Sequence, residues 1–518
     1  MRKIGIDFGT CNIKGAEKKK NGNVSYIKLG KKIDKPRIPN VILYEQKEDD
    51  IAIYIGETAL KKPASEQDKV RNIKSFLQES NWSRELSFGK VVSAYDVTLD
   101  IMKSLYDEMH NSNKNEDISA TITVPVNFSK RQQMIVESAA QNAGFIVESV
   151  ITEPFASLFY LMQESFEEDV DHNVLIFDFG GGTLDLCLAD ITHMNDKIRI
   201  ETQATVGISY GGNNLNGDII ENLVMKKAGE KLHKALDEQE NDLRREVNRY
   251  FIMEALDTMK AELFEDEAVD EDETSDLIAQ LFDGSAVDFG SYSVSDIYNM
   301  FIEKGWKKRI FLLLDSLFDN SSSMVPDEVS DIFVIGGTSA IPYFRNCLIE
   351  YFRNNGHDDV DSLFELNDDM DADDRIYSSV SKGAAIYNEL IEDEDIEIKD
   401  RIPFLVYSKD EKNKECTKLS LDVCYKDYAS ALAPLTKVMK ENKKIEIYQK
   451  IYGEDDKEVY LGDIQIDDEI VDNATLYRLT VDKHRNIKAE FGYLLDEENE
   501  DLEESFCIDW CSDLVITI

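Results

Sequence analysis

The chain has 518 residues, 42% of them hydrophobic, and a formal net charge of −45 at pH 7. That length exceeds what one hydrophobic core fills, so several compact units are expected. So acidic a balance excludes nucleic acid and an anionic membrane surface as main partners, and reads as solvated faces that keep the protein soluble.

The opening Met1-Arg2-Lys3-Ile4-Gly5-Ile6-Asp7 carries two basic residues but reaches an aspartate before any apolar run of signal-peptide length. No segment approaches the roughly 18 to 20 uncharged residues of a membrane span. Seven cysteines scattered over a long chain fit reduced thiols, and the expected location is cytoplasmic.

Apolar strand, aspartate, glycine turn and threonine follow one another in Ile4-Gly5-Ile6-Asp7-Phe8-Gly9-Thr10. The same order recurs in Leu175-Ile176-Phe177-Asp178-Phe179-Gly180-Gly181-Gly182-Thr183. A second strand is predicted directly after each, over 12–16 and 184–188, so both segments read as tight β-hairpins with the glycines at the tip. The glycines let backbone N–H groups approach an anion, the threonine adds a hydroxyl, and the aspartate is placed to hold a hydrated cation beside phosphates. One Asp-x-Gly turn is ordinary punctuation. Two facing copies make a nucleotide clamp. A Walker-type or Rossmann loop would instead run from glycines into a helix, and neither copy does.

Between and beyond the hairpins the pattern is α/β to about residue 390. Strands are predicted over 174–177 and 332–335, and a helix over 130–142 that Gly144 terminates. The charged region 229–264 has helical period, and the acidic run 265–273 is expected to loop into solvent, both in a peripheral subdomain. Residues 391–401 read as a charged linker, with strand alternation in Ile396-Glu397-Ile398-Lys399-Asp400. From 402 to 518 short strands predominate, for example over 445–448, 459–464, 477–481 and 514–518, with an acidic loop at 496–504. Cys507 and Cys511 are spaced to share one face of a strand, but no second pair completes a zinc site.

These motifs, in this order, resemble those of the DnaK-type seventy-kilodalton heat-shock chaperones, within the actin and sugar-kinase ATPase superfamily. Beyond the hairpins the resemblance is carried by Ile122-Thr123-Val124-Pro125-Val126-Asn127-Phe128, Thr152-Glu153-Pro154-Phe155-Ala156-Ser157, Gly211-Gly212-Asn213-Asn214-Leu215-Asn216, Val334-Ile335-Gly336-Gly337-Thr338-Ser339-Ala340-Ile341-Pro342 and Val380-Ser381-Lys382-Gly383-Ala384-Ala385. It implies a two-lobed, actin-like α/β ATPase domain of ribonuclease H-like subdomains over 1–390, the linker over 391–401, and an all-β sandwich resembling the substrate-binding domain over 402–518. The sandwich resemblance is fainter, best at Tyr460-Leu461-Gly462-Asp463-Ile464 and Leu479-Thr480-Val481-Asp482. The family's helical lid is expected to be missing, because the last strand pattern runs to Ile518; a lidless pocket should release peptide quickly.

The same resemblance implies roles for single residues. Asp7 and Asp178 would hold magnesium through water. Gly9, Thr10, Cys11 and Asn12, with Gly180, Gly181 and Gly182, would cradle the phosphates. Thr183 and Asp185 would sit beside the attacking water. Lys74, which follows Ile55-Gly56-Glu57 as in the family, would contact the γ-phosphate, and Glu153 would orient magnesium-bound water and couple the site to the domain interface. Gly211, Gly212 and Asn213, Asp257 and Lys260, and Gly336, Gly337 and Thr338 would complete the nucleoside side. ATP or ADP with Mg2+ is the implied cofactor, with K+ as a further ion. Hydrolysis of a γ-phosphoryl group depends on positioning and charge neutralisation, for which such groups suffice.

The chain also departs from the family. Two arginines that usually stack on adenine are replaced by Ala261 and Ala340, and each lost cation–π contact is worth roughly 0.5–2 kcal/mol. Lowered affinity or relaxed base choice is the expectation. Asn213, Asn214 and Asn216 carry amides where the family often has carboxylates. The linker keeps only alternate apolar residues where the family has a leucine run, so it buries less apolar area, at about 25 cal/mol per Å2. Pro125 matches a proline switch whose usual arginine partner aligns with Gln133, with Arg131 nearby. The implied function is slow Mg-ATP hydrolysis coupled to transient binding of an unfolded or partner polypeptide, with a J-domain protein or exchange factor as further partners. The alternative is a nucleotide-dependent co-chaperone or scaffold with little turnover. A sugar kinase or filament-forming actin relative fits the β-rich tail less well.

Overall fold

The computed structural model describes residues 1–19, 22–27, 37–48, 50–62, 64–77, 81–111, 116–165, 170–194, 197–239, 242–264, 270–321, 324–393, 395–399, 405–409, 415–419, 428–451, 457–481, 487–495 and 506–515. Two sheets repeat one plan. In the first, Arg2–Phe8 lies parallel to Ile118–Val124, which lies parallel to Ile146–Thr152, while Asn12–Lys18 returns antiparallel on the other side. In the second, His172–Phe179 lies parallel to Asp331–Ile335, and Leu184–Met194 and Lys197–Ile208 follow antiparallel. Residues Ile4 to Phe8 and Val174 to Phe179 are buried along their whole length, because helices cover both faces of each sheet.

Helices Glu153–Ser165 and Ser379–Leu390 cross at the base of the two lobes, where small residues permit close approach. A Cβ on Gly383 would lie 1.8 Å from the Ala156 carbonyl oxygen, and one on Gly5 would lie 2.2 Å from that of Ser381. Phe155, Phe159 and Tyr387 lock the crossing edge to face, with centroids 5.1–6.2 Å apart. Helix Lys130–Ala143 starts at a Ser129–Gln132 capping box and ends at Gly144 in the left-handed region, at φ 115°. The region of helical period resolves into Met225–Leu236 and Asp242–Leu263.

The C-terminal strands, from Leu405–Lys409 to Phe506–Val515, form a folded antiparallel array around Ile445, Ile447, Leu461, Tyr477, Leu479 and Phe491. This is the β sandwich of an α/β protein with two actin-like lobes. The charged segment before it docks as an edge strand: Ile396–Lys399 lies parallel to Lys197–Ile208, with Ile396 opposite Ile198 and Ile398 opposite Ile200. Its alternate isoleucines pack on the core beneath, so two apolar residues in four suffice for one buried face. Sandwich and first lobe also touch. Lys130 donates its backbone N–H to the buried Gln449 side chain at 2.9 Å, and Met134 packs on the sandwich core.

The cysteine pair differs from expectation. A register shift opposite Phe491 and Gly492 pairs Cys507 with Tyr493 but Cys511 with Glu490, so the two thiols face opposite sides of the strand. A bulge adds one residue to one strand, which inverts the alternation beyond it. The acidic segments 265–269 and 496–505, Asp400 and Asp482 lie outside the described residues.

Candidate functional site

The hairpin tips meet across a cleft of about 850 Å3. A Cβ on Gly182 would fall 2.4 Å from the Thr10 hydroxyl, and one on Gly181 would fall 2.5 Å from the Cys11 sulfur. Helix Gly212–Ile219 starts on the second tip: Gly212 N–H donates to the Gly180 carbonyl at 3.0 Å, and Asn213 N–H to that of Gly181 at 2.9 Å. The Thr338 hydroxyl donates to the Gly180 carbonyl at 2.8 Å, which ties the Gly336–Gly337 loop to the same turn. Gly336 adopts φ 84°, and a Cβ there would lie 2.6 Å from Asp178 Oδ1. Here glycine is a steric requirement. Asn12, Asn213 and Asp257 line the cleft. Lys260 pairs with Asp257 at 2.9 Å, and Asp257 in turn accepts from Asn216 at 2.9 Å.

Beneath the tips lies a buried charge cluster. Asp7, Asp178 and Asp185 are all buried, as is Lys74, which forms an ion pair with Glu153. Asn72, left-handed at φ 53°, starts the short 3-10 turn Ile73–Phe76 that carries Lys74 inward. Burial and then the charge on Glu153 raise the Asp185 carboxyl to about 7, against hydrogen bonds from Thr183 and the Val126 N–H. Asp178 is pushed well above the carboxylate range by burial, then by Glu153 and Asp185. Glu153 is raised by burial, which Lys74 opposes. Among the described residues no three of His, Cys, Asp and Glu converge as a direct metal-ligand set.

A family model described as Hsp70 protein matches residues 50–449. The chain belongs to the Hsp70 family. Among curated relatives, the Chaperone protein DnaK of Mycoplasmoides gallisepticum (strain R(low / passage 15 / clone 2)) is 28% identical over 243 residues, 45% of this chain and 37% of that protein. The chain thus spans little more than a third of that relative. The Hsp70 match takes in the second hairpin, Lys74, Glu153 and the Gly211–Gly212 and Gly336–Gly337 loops, but begins after the first hairpin; the fold itself brings that one to the cleft.

Several groups in this Hsp70 cleft escape sequence reasoning. Lys14 lies directly across the first hairpin from Asp7 and pairs with it at 2.8 Å. Asn40 donates its side-chain N–H to the Gly9 carbonyl at 2.8 Å and its backbone N–H to that of Cys11 at 2.8 Å, bracing the first tip. Gly207 borders Asp185, since a Cβ there would lie 2.3 Å from its Oδ1. Only Lys14 left a trace in the sequence, a lone charge in the strand 12–16. Ala261 and Ala340 are both exposed, and the guanidinium of Arg37 lies 4.9 Å over the Tyr377 ring beside Gly337.

Proposed function

We propose that this Hsp70-family protein is a slow Mg-ATP hydrolase whose nucleotide cycle governs transient binding of an unfolded or partner polypeptide by the β sandwich. One observation carries the reading: two glycine-tipped hairpins close on each other above Asp7, Asp178, Asp185 and the Lys74–Glu153 pair. Members of this family bind ATP or ADP with magnesium. The residues fit such a group: the tips offer backbone N–H groups and the Thr10 hydroxyl as donors, and the buried Asp185 Oδ2, an acceptor with no hydrogen-bond partner among the described residues, is open to a water.

Magnesium, when bound, would offset negative charge on the phosphate oxygens. Asp7 and Asp178 would hold its water shell. Thr183 positions Asp185, which takes a proton from the attacking water once its carboxyl is ionised. Glu153 holds the Lys74 ammonium in the cleft, where it steadies charge developing on the γ-phosphoryl oxygens. Preorganised charge at the buried floor of the cleft does this work without a covalent nucleophile.

We further propose the division 1–390, 391–401 and 402–518 for lobes, linker and sandwich, a J-domain protein or exchange factor as regulatory partner, and a cytoplasmic setting. Among the described residues no helix is long and apolar enough to cross a membrane. A second reading, a scaffold with little turnover, is favoured by the exposed Ala261 and Ala340 on the nucleoside side. Single-turnover phosphate release separates the two. Lys74→Ala and Thr183→Ala should each slow release about 100-fold; rates unchanged in both variants would support the scaffold.

A further inference from the structure

The two hairpins share Asp-Phe-Gly at the end of the first strand and the same cross-strand register, but not the same residue facing the aspartate. The residue seven places after each clamp aspartate lies across the hairpin from it: Asp185 opposite Asp178, and Lys14 opposite Asp7. One hairpin therefore sets a carboxylate against its aspartate, and the other sets an ammonium. We infer that Lys14 is a tethered monovalent cation of the nucleotide site, which neutralises Asp7 and makes binding of a metal–nucleotide independent of potassium or any other free monovalent ion. The inference rests on the nucleotide reading above.

The geometry supports this role over a surface ion pair. Lys14 Nζ contacts Asp7 Oδ2 at 2.8 Å, with the two side chains 17% and 6% exposed. Asp178 and Glu153 act on the same ammonium as further opposite charges. The cluster of Asp7, Asp178, Asp185 and Glu153 thus contains two ammonium groups, Lys14 and Lys74, each on its own carboxylate. With Oδ2 occupied, Asp7 keeps Oδ1, on the side of Gly9, for a hydrated divalent ion. At Asp7 a free monovalent cation finds Oδ2 already taken by the lysine. Four carboxylates and a polyphosphate would otherwise recruit small cations from solution.

Calorimetry of Mg-ADP binding at equal ionic strength, in potassium chloride and in choline chloride, tests this. Wild type should bind with affinities that agree within about twofold, whereas Lys14→Met should bind about tenfold more weakly in choline and recover most of that in potassium. Lys14→Arg should behave as wild type. A tenfold loss in wild type on moving to choline would overturn the inference whatever the variants do, so it stands or falls even if Lys14→Met does not fold. Lys14→Met equally weak in both salts, or as tight as wild type in both, would also overturn it. Wild type failing to bind in either salt would remove the nucleotide reading as well, which distinguishes the two failures.

Discussion

At the scale of single residues, burial sets the chemistry of the cleft. Asp185 sits at about 7 because it is fully desolvated beside Glu153, and only its ionised form accepts a proton. Below that pH the carboxyl is protonated, so kcat/KM for ATP should rise as pH increases through about 7. Asp185→Asn should abolish both the rise and most of the activity, as read in a pH–rate profile. Beside the Gly336–Gly337 loop, Ala340→Arg should strengthen ADP binding by roughly 0.5–2 kcal/mol if the new guanidinium reaches the base, with GDP gaining by a similar amount. Calorimetry with both nucleotides measures it. The acids of the cleft were legible because aspartate before a glycine turn is a local pattern. Asn40 was not, and Lys14 left only a lone charge in a strand, because a lysine in a strand and an asparagine before a strand acquire meaning only from what faces them.

At the scale of elements, the joint between the lobes is a crossing of two helices with no room for a side chain. Gly383→Ala would place its Cβ against the Ala156 carbonyl oxygen and should cost about 1–3 kcal/mol, seen as a lower unfolding midpoint. The strand–helix alternation that surrounds this joint was readable from period and punctuation: the helix expected over 130–142 ends at Gly144, as its residues suggest. Contact between the helices was not readable, since Gly383 and Ala156 are 227 positions apart in sequence numbering and small residues have many other uses. The cysteine pair shows the same limit. A single bulge reverses which face a strand residue takes, and no local signal marked it.

At the scale of the whole molecule, the strand Ile396–Lys399 lies between the cleft lobes and the sandwich in the chain. Ile396 and Ile398 hold it on the edge of the second sheet, while Gln449 and Met134 bring the sandwich onto the first lobe. Ile398→Asp should weaken this docking by about 1–3 kcal/mol. Limited proteolysis and hydrogen exchange over 391–401 would show faster cleavage and faster exchange, with the cleft unchanged. An unaltered linker in that variant would mean that Gln449 and Met134 alone hold the arrangement.

The amino-acid order by itself determined the repeated hairpins, the α/β-to-β change near residue 390 and the identities of the carboxylates, because each is written in spacing over fewer than about a dozen residues. Only the tertiary structure decided that the two tips touch, that Lys14 pairs with Asp7 while Asp185 has no ion pair of its own among the described residues, and that a charged segment closes a sheet edge. Those facts arise from desolvation and from contacts between distant segments, and neither exists until the chain has packed.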